Sequence, residues 1–160
     1  MALDMFLKLA GIDGESSDTK HKGEIDVLSW SWGLSEPATP SAGGGGAGRV
    51  KIADLSIQKL VDLASPLLLL SSAQSKHISD GTLTTREGGK VGGSEFLVVK
   101  LTDVIVTSVQ VGASSGDDRA SEQVSLAFGK VEFDYWQTKP DGSLGTEKTF
   151  KWDVGASKPG

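Results

Sequence analysis

The sequence predicts a mainly β fold: a closed antiparallel β-barrel or sandwich with one short flanking α-helix and an extended loop. Three observations lead there. Apolar and polar residues alternate with a period of two through most of the chain, two alternating runs reverse their phase partway, and 21 of the 160 residues are glycine, many of them between those runs. A single domain over residues 1–160 fits this length, since a chain of this size buries most of its surface around one core.

The first run sets Leu3, Met5, Leu7 and Leu9 against Asp4, Phe6 and Lys8, then stops at Gly11 and Gly14 in a polar turn reaching Gly23. The next places Ile25 and Val27 on odd positions and Leu28, Trp30 and Trp32 on even ones. Such a reversal sends apolar groups to the opposite face unless one extra residue is inserted, so a β-bulge is expected near Val27 and Leu28. Residues 33–49 have almost nothing to bury: Pro37 and Pro40 precede Gly43, Gly44, Gly45 and Gly46, then Gly48 and Arg49. This reads as an extended glycine-rich arm, a kind of loop that commonly serves binding. Strand character resumes from Val50 to Leu60.

One helix is expected at about 65–77, with the Ser65 hydroxyl as N-cap and Pro66 in the first turn. Leu67, Leu70 and Ala73 would pack on the barrel, Ser71, Ser72 and Ser75 would face water, and His77 would cap the negative end of the dipole. Strands follow over Thr82–Glu87, Glu95–Val111, Ala120–Thr138 and Glu147–Val154, with Asp141-Gly142 a hairpin signal. In the third of these Val124, Leu126 and Phe128 give way to Val131, Phe133 and Tyr135, and Gly129 marks the reversal as a strand corner. Two such reversals point to a sheet that coils onto itself.

Composition excludes several function classes. A formal net charge of −5 gives no footprint for gripping phosphate, so nucleic acid is not an expected partner. With no cysteine, thiolate catalysis and cysteine-held metals are ruled out, and neither a metal nor a cofactor is expected. The longest purely apolar run, Leu67 to Leu70, is far short of the ~20 residues that cross a bilayer, so no membrane insertion is expected. Asp4 and Lys8 interrupt the N-terminal apolar stretch, which therefore reads as a strand and not as a cleavable signal.

Catalytic motifs are weak. Gly112-Ala-Ser114-Ser115-Gly116 has the G-x-S-x-G spacing of a hydrolase nucleophile, but a strand follows where the motif needs a helix. Gly43, Gly45 and Gly48 match a dinucleotide fingerprint only because the run is nearly all glycine. His21 lies in a charged turn and reads as a solvated surface residue, and the Asp117-Asp118 pair beside Arg119 reads as a solvated cluster. No enzyme is expected. Exposed Trp30, Trp32, Trp136 and Trp152 leave open a monomeric carbohydrate- or protein-binding β module.

Several segments occur together in a recognisable order: Met5-Phe-Leu-Lys-Leu, Gly14-Glu-Ser, Glu24-Ile-Asp-Val-Leu-Ser-Trp-Ser-Trp-Gly33, the glycine loop before Val50, Ala64-Ser-Pro-Leu with Lys76-His77, and Thr107-Ser-Val ahead of Gly116-Asp-Asp-Arg119. In them the chain resembles the Hcp (haemolysin-coregulated protein) family over nearly its whole length. The resemblance implies a tube subunit of the bacterial type VI secretion system. It would form homohexameric rings that stack into a hollow tube, capped by a VgrG-like spike, driven by a contractile sheath and carrying small effector proteins. It also implies synthesis in the cytoplasm and release through the apparatus without a cleavable signal peptide. On this reading Pro37, Pro40, Gly43–Gly46, Gly48 and Arg49 contact an adjacent subunit or ring, and Ser114, Ser115 and Asp117 face the lumen and its cargo. A phage-like tail tube protein would share the same assembly physics.

Overall fold

A computed structural model describes residues 2–37, 50–89 and 92–160. The elements in chain order are β1 (Leu3–Leu9), β2 (Ile25–Val27), β3 (Ser29–Ser31), β4 (Leu34–Ser35), β5 (Lys51–Ile52), β6 (Leu55–Leu60), α1 (Ser65–Ala73), β7 (His77–Glu87), β8 (Leu97–Gly112), β9 (Ser121–Thr138) and β10 (Leu144–Asp153). The main sheet runs β2-β1-β7-β8-β9-β6-β3, with β10 joined to β9. Every pairing is antiparallel.

The two ends of that path, β2 and β3, are consecutive in sequence and separated only by Leu28, whose N–H donates to the Gln58 carbonyl at 2.8 Å. The first phase reversal is therefore a change of strand partner, not the bulge its pattern suggests. β2 pairs with β1 on one side of the molecule, β3 pairs with β6 on the other, and the crossing nearly closes the sheet into a barrel. Reversed parity is what lets Ile25, Val27 and Trp30 all turn toward one core although their strands pair with different partners.

The second reversal, at Gly129, is a strand corner as expected, and it is shared. In β8 the buried positions switch from Val99 and Leu101 to Val104 and Val106 around Asp103, whose φ is +55°. Thr102 pairs with Lys130 and Val104 with Phe128, which puts Asp103 opposite Gly129. β7 shifts in the same row, between Ile78 and Leu83. Three neighbouring strands thus bend together, and the His77 ring nitrogen Nδ1 lies 2.6 Å from Asp103 Oδ1 across the bend. His77 opens β7 and does not end the helix.

Helix α1 also departs from its pattern. Ala64 is the N-cap without a side-chain bond, Ser65 is the first helical residue, and the helix stops at Ala73. Ser75, at φ +49°, terminates it: the Lys76 N–H reaches the Ser71 carbonyl at 2.9 Å and the Ser75 N–H reaches that of Ser72 at 3.2 Å. Ser65, Leu68 and Ser71 face inward, while Leu67, Leu69 and Leu70 are exposed. Four consecutive leucines carry no periodicity, so a polar contact selects the face. Beneath Ser65, at the end of the barrel, Lys59 is fully buried beside Glu122. The Lys59 ammonium contacts the Glu122 carboxylate, Asp62 Oδ1 at 2.8 Å and the Leu60 carbonyl at 2.9 Å, and the Ser65 hydroxyl donates to Glu122 at 2.7 Å.

Removing one partner of such a pair strands a buried charge, which typically costs about 3–5 kcal/mol, whereas replacing both by apolar groups of similar volume is far milder. Lys59→Met should therefore lower the free energy of unfolding measured in urea by that order, and Lys59→Met with Glu122→Leu should recover most of the loss. Equal melting of the two variants would contradict this account of the helix anchor.

Candidate assembly surfaces

The four strands β3, β6, β9 and β8 form one wall of the barrel, and their register sorts its side chains into rows. Inward lie Trp30, Ile57, Val124 and Val109, with Leu55, Leu126 and Val106 in the next row. Outward, Ser29, Gln58, Gln123 and Gln110 fall in one line and Ser31, Ser56, Ser125 and Ser108 in the next. All eight are uncharged hydroxyl or amide groups, in a chain whose charged share is 23%. They bond to one another: Ser29 Oγ to Gln58 Oε1 at 3.2 Å, and Gln123 Nε2 to Ser56 Oγ at 3.1 Å.

This wall has two open edges among the described residues. β7 pairs with β8 only from Leu97 to Ile105, so from Val106 to Gly112 the only strand paired with it is β9, while helix α1 packs against β8. At the other edge β3 pairs with β6 alone. Sequence reasoning missed both the rows and the edges. The outward Ser and Gln positions were visible within each strand, but only the pairing aligns them, and only the pairing shows where it stops.

The turn of residues 112–118 continues from the same wall, since Gly112 pairs with Ser121. The structure brings Ser114, Ser115 and Asp117 together there, all exposed. The Ser114 N–H donates to Asp117 Oδ2 at 3.0 Å and the Asp117 N–H to the Ser114 carbonyl at 2.9 Å, so the motif serves as turn chemistry. Strand β9 follows, not a helix, and both histidines are engaged elsewhere: His77 with Asp103, His21 with Glu24 and Glu95. His21, expected in a solvated turn, is only 7% exposed, because its ring stacks on Phe6.

Of the arm residues, Pro37 is exposed at the edge of the described chain, whereas Pro40, Gly43, Gly44, Gly45, Gly46, Gly48 and Arg49 lie outside the described residues. The base of the arm is more ordered than an extended loop. β4 and β5 form a two-stranded ribbon pairing Leu34 with Ile52 and Ser35 with Lys51. Trp32 anchors it, donating from its indole N–H to the Ala53 carbonyl at 2.9 Å and packing on Phe128, Phe133 and Phe150 at centroid distances of 6.2–6.3 Å.

The exposed tryptophan platform is not formed. Trp30 is half-buried and donates to Thr85 Oγ1 at 3.1 Å, Trp152 stacks on Phe150, and Trp136 is half-buried too. These rings are large apolar bodies, and Trp30, Trp32 and Trp152 pack against the core. Since the Ser114 side chain contributes nothing to the turn's backbone bonds, Ser114→Ala should unfold within about 0.5 kcal/mol of the parent. A larger change, or labelling of the parent by a serine-directed phosphonate, would overturn the turn assignment.

Comparison with known proteins gives a consistent picture. Residues 6–135 match the family model described as "Type VI secretion system effector, Hcp". The chain is 42% identical over 156 residues to Protein hcp1 of Pseudomonas aeruginosa, covering 96% of each. Among solved structures it resembles Hcp1 from Salmonella typhimurium, at 38% identity and a TM-score of 0.83 with 99% of each chain covered. It also resembles a structure described as a type six secretion system protein, at 30% identity and a TM-score of 0.91 over 99% of this chain and 100% of that one.

Proposed function

The chain belongs to the Hcp family of type VI secretion proteins, and from that premise we propose that it is the structural subunit of hexameric rings that stack into the hollow inner tube of such a system. Family membership makes it a structural, secreted component that self-assembles and works with the rest of the apparatus, and not an enzyme. The finer reading is supported above all by the four-stranded wall with two open edges.

Directions alternate along β3, β6, β9 and β8, so the two open edges run opposite ways. A rotation that keeps strand direction sets the β8 edge of one copy beside the β3 edge of the next in antiparallel order, joining the walls into one continuous surface. This contact is heterologous, and it closes into a ring when the rotation divides the circle. Pairing the edges also removes the hazard of leaving them open.

The outward Ser and Gln rows then become the inner wall. A charge on this face would be repeated by every copy around a narrow bore and would repel its own images, and an uncharged face avoids that cost. The turn carrying Ser114, Ser115 and Asp117 extends this wall and offers small polar groups to effectors in transit. The arm from Pro37 to Arg49, led out by the β4–β5 ribbon, contacts an adjacent subunit or the next ring. A VgrG-like spike and a contractile sheath are the further partners of this reading, with release through the apparatus and no cleavable signal peptide.

Successive residues of a strand aim their N–H groups at opposite edges, so prolines placed singly at the exposed Gln110 and Val111 act differently. One removes a bond to β9 and lowers stability. The other removes only a group facing the open edge, and this variant should melt like the parent yet elute as a lone subunit by light scattering. Parent-like assembly of both would refute edge pairing. Deleting Gly43 to Gly48 should leave folding intact and shorten tubes in electron micrographs; unchanged length would refute the arm's role. Ser115→Gln should reduce effector retention, and full retention would remove the turn from the cargo surface.

A further inference from the structure

A histidine whose two ring nitrogens each face a carboxylate satisfies both contacts only by donating from both. His21 is placed in this way: Nδ1 lies 2.9 Å from Glu24 Oε2 and Nε2 lies 2.6 Å from Glu95 Oε1. Glu24 is three residues along the same connection, whereas Glu95 is 74 residues away, in the segment leading into β8. The ring is 7% exposed and stacked on Phe6 at a centroid distance of 4.4 Å and an interplanar angle of 9°. This contact therefore ties the β1–β2 connection to the β7–β8 connection across the outer side of β1 and β7.

We propose that His21 is a cationic clasp between these two connections, closed while the imidazole holds both protons and released at the Glu95 side as the pH rises. The charges around it support this. Its own connection contributes Asp18, Lys20 and Glu24, β1 contributes Asp4, β7 contributes Arg86, and the far connection contributes Glu95. Arg86, 4.9 Å from the Phe6 ring centroid, is committed to Asp18 at 3.0 Å and Asp4 at 3.4 Å, so it does not neutralise the two glutamates that flank the imidazole. Lys20 is exposed. With His21 neutral, one ring nitrogen would turn a lone pair toward a carboxylate. Retaining the local contact to Glu24 costs little chain entropy, so the contact to Glu95 is the one given up.

Burial alone pulls the His21 pKa down, but the hydrogen bonds to Glu95 and Glu24 and the charges of both outweigh it, and the net direction is upward. A folded-state value above the unfolded one contributes stability that is complete below the unfolded value, about 6.5, and is lost as pH rises through the folded value. The Arg86–Asp18 tie behaves differently. Asp18 is held below the ordinary carboxylate range, chiefly by its hydrogen bond to Arg86, and Arg86 is pushed further above neutrality, so that tie persists through the same range. The pH response is thereby concentrated in one contact.

The test is a nitrogen NMR titration of the His21 ring in the purified full chain. Both nitrogens should be protonated at pH 6 with a midpoint above ~6.5, and Glu95→Gln should lower that midpoint by about one unit, a tenfold loss of proton affinity. Amide exchange of residues 13–23 and 92–96 should show an added acceleration as pH crosses the midpoint, absent from His21→Gln. An unprotonated ring nitrogen at pH 6, or a midpoint unmoved in Glu95→Gln, overturns the clasp. The titration of Glu95→Gln keeps the question decidable even if His21→Gln fails to fold.

Discussion

A β-strand has two edges, and each must find a partner, a cover or a use. That requirement organises this chain. Seven strands in the order β2-β1-β7-β8-β9-β6-β3 would leave an edge at each end, and the chain joins those ends by passing from β2 to β3 over Leu28 alone. β8 is longer than the β7 that pairs with it, which leaves its second half with β9 as its one strand partner, and β3 is paired on one side. Among the described residues the strands thus nearly close within one copy, and the wall of β3, β6, β9 and β8 keeps an unpaired strand edge at each end.

Polar groups are sorted by the same geometry. The two buried cations are paired and held by several bonds, Lys59 with Glu122 and Asp62 under the helix and Arg86 with Asp18 and Asp4 over Phe6. On the outward face of β3, β6, β9 and β8, charge is missing from two rows of side chains. Ion pairs thus fasten the helix and the connections, while the outward rows of one wall carry no charge.

Much of this fold was legible in the residues. Alternation located the long strands, the reversal at Gly129 marked a real corner, and Asp141-Gly142 lies in the turn between β9 and β10, where Gly142 has a φ of +86°. The order of short segments carried the family resemblance. Legibility failed where local pattern is degenerate. Four consecutive leucines in α1 cannot say which face is buried, and the Lys59–Glu122 pair decided it through Ser65. The reversal at Val27–Leu28 has two physical solutions, a bulge or a change of partner. His21 sits among charged neighbours in sequence, yet the Phe6 ring and Glu95 reach it from strands and loops that no local window contains.

The sequence by itself determined that the chain forms strands, roughly where they run, and which family it belongs to. These follow from side-chain period, composition and the order of motifs, all of which are properties of neighbouring residues. Tertiary structure alone decided that β2 and β3 pair with different strands, that serines and glutamines from four strands stand in two neutral rows, and that β8 outruns its partner. Those features depend on register, and register is set when distant strands pair and bury a common core, a condition that no single stretch of the chain expresses.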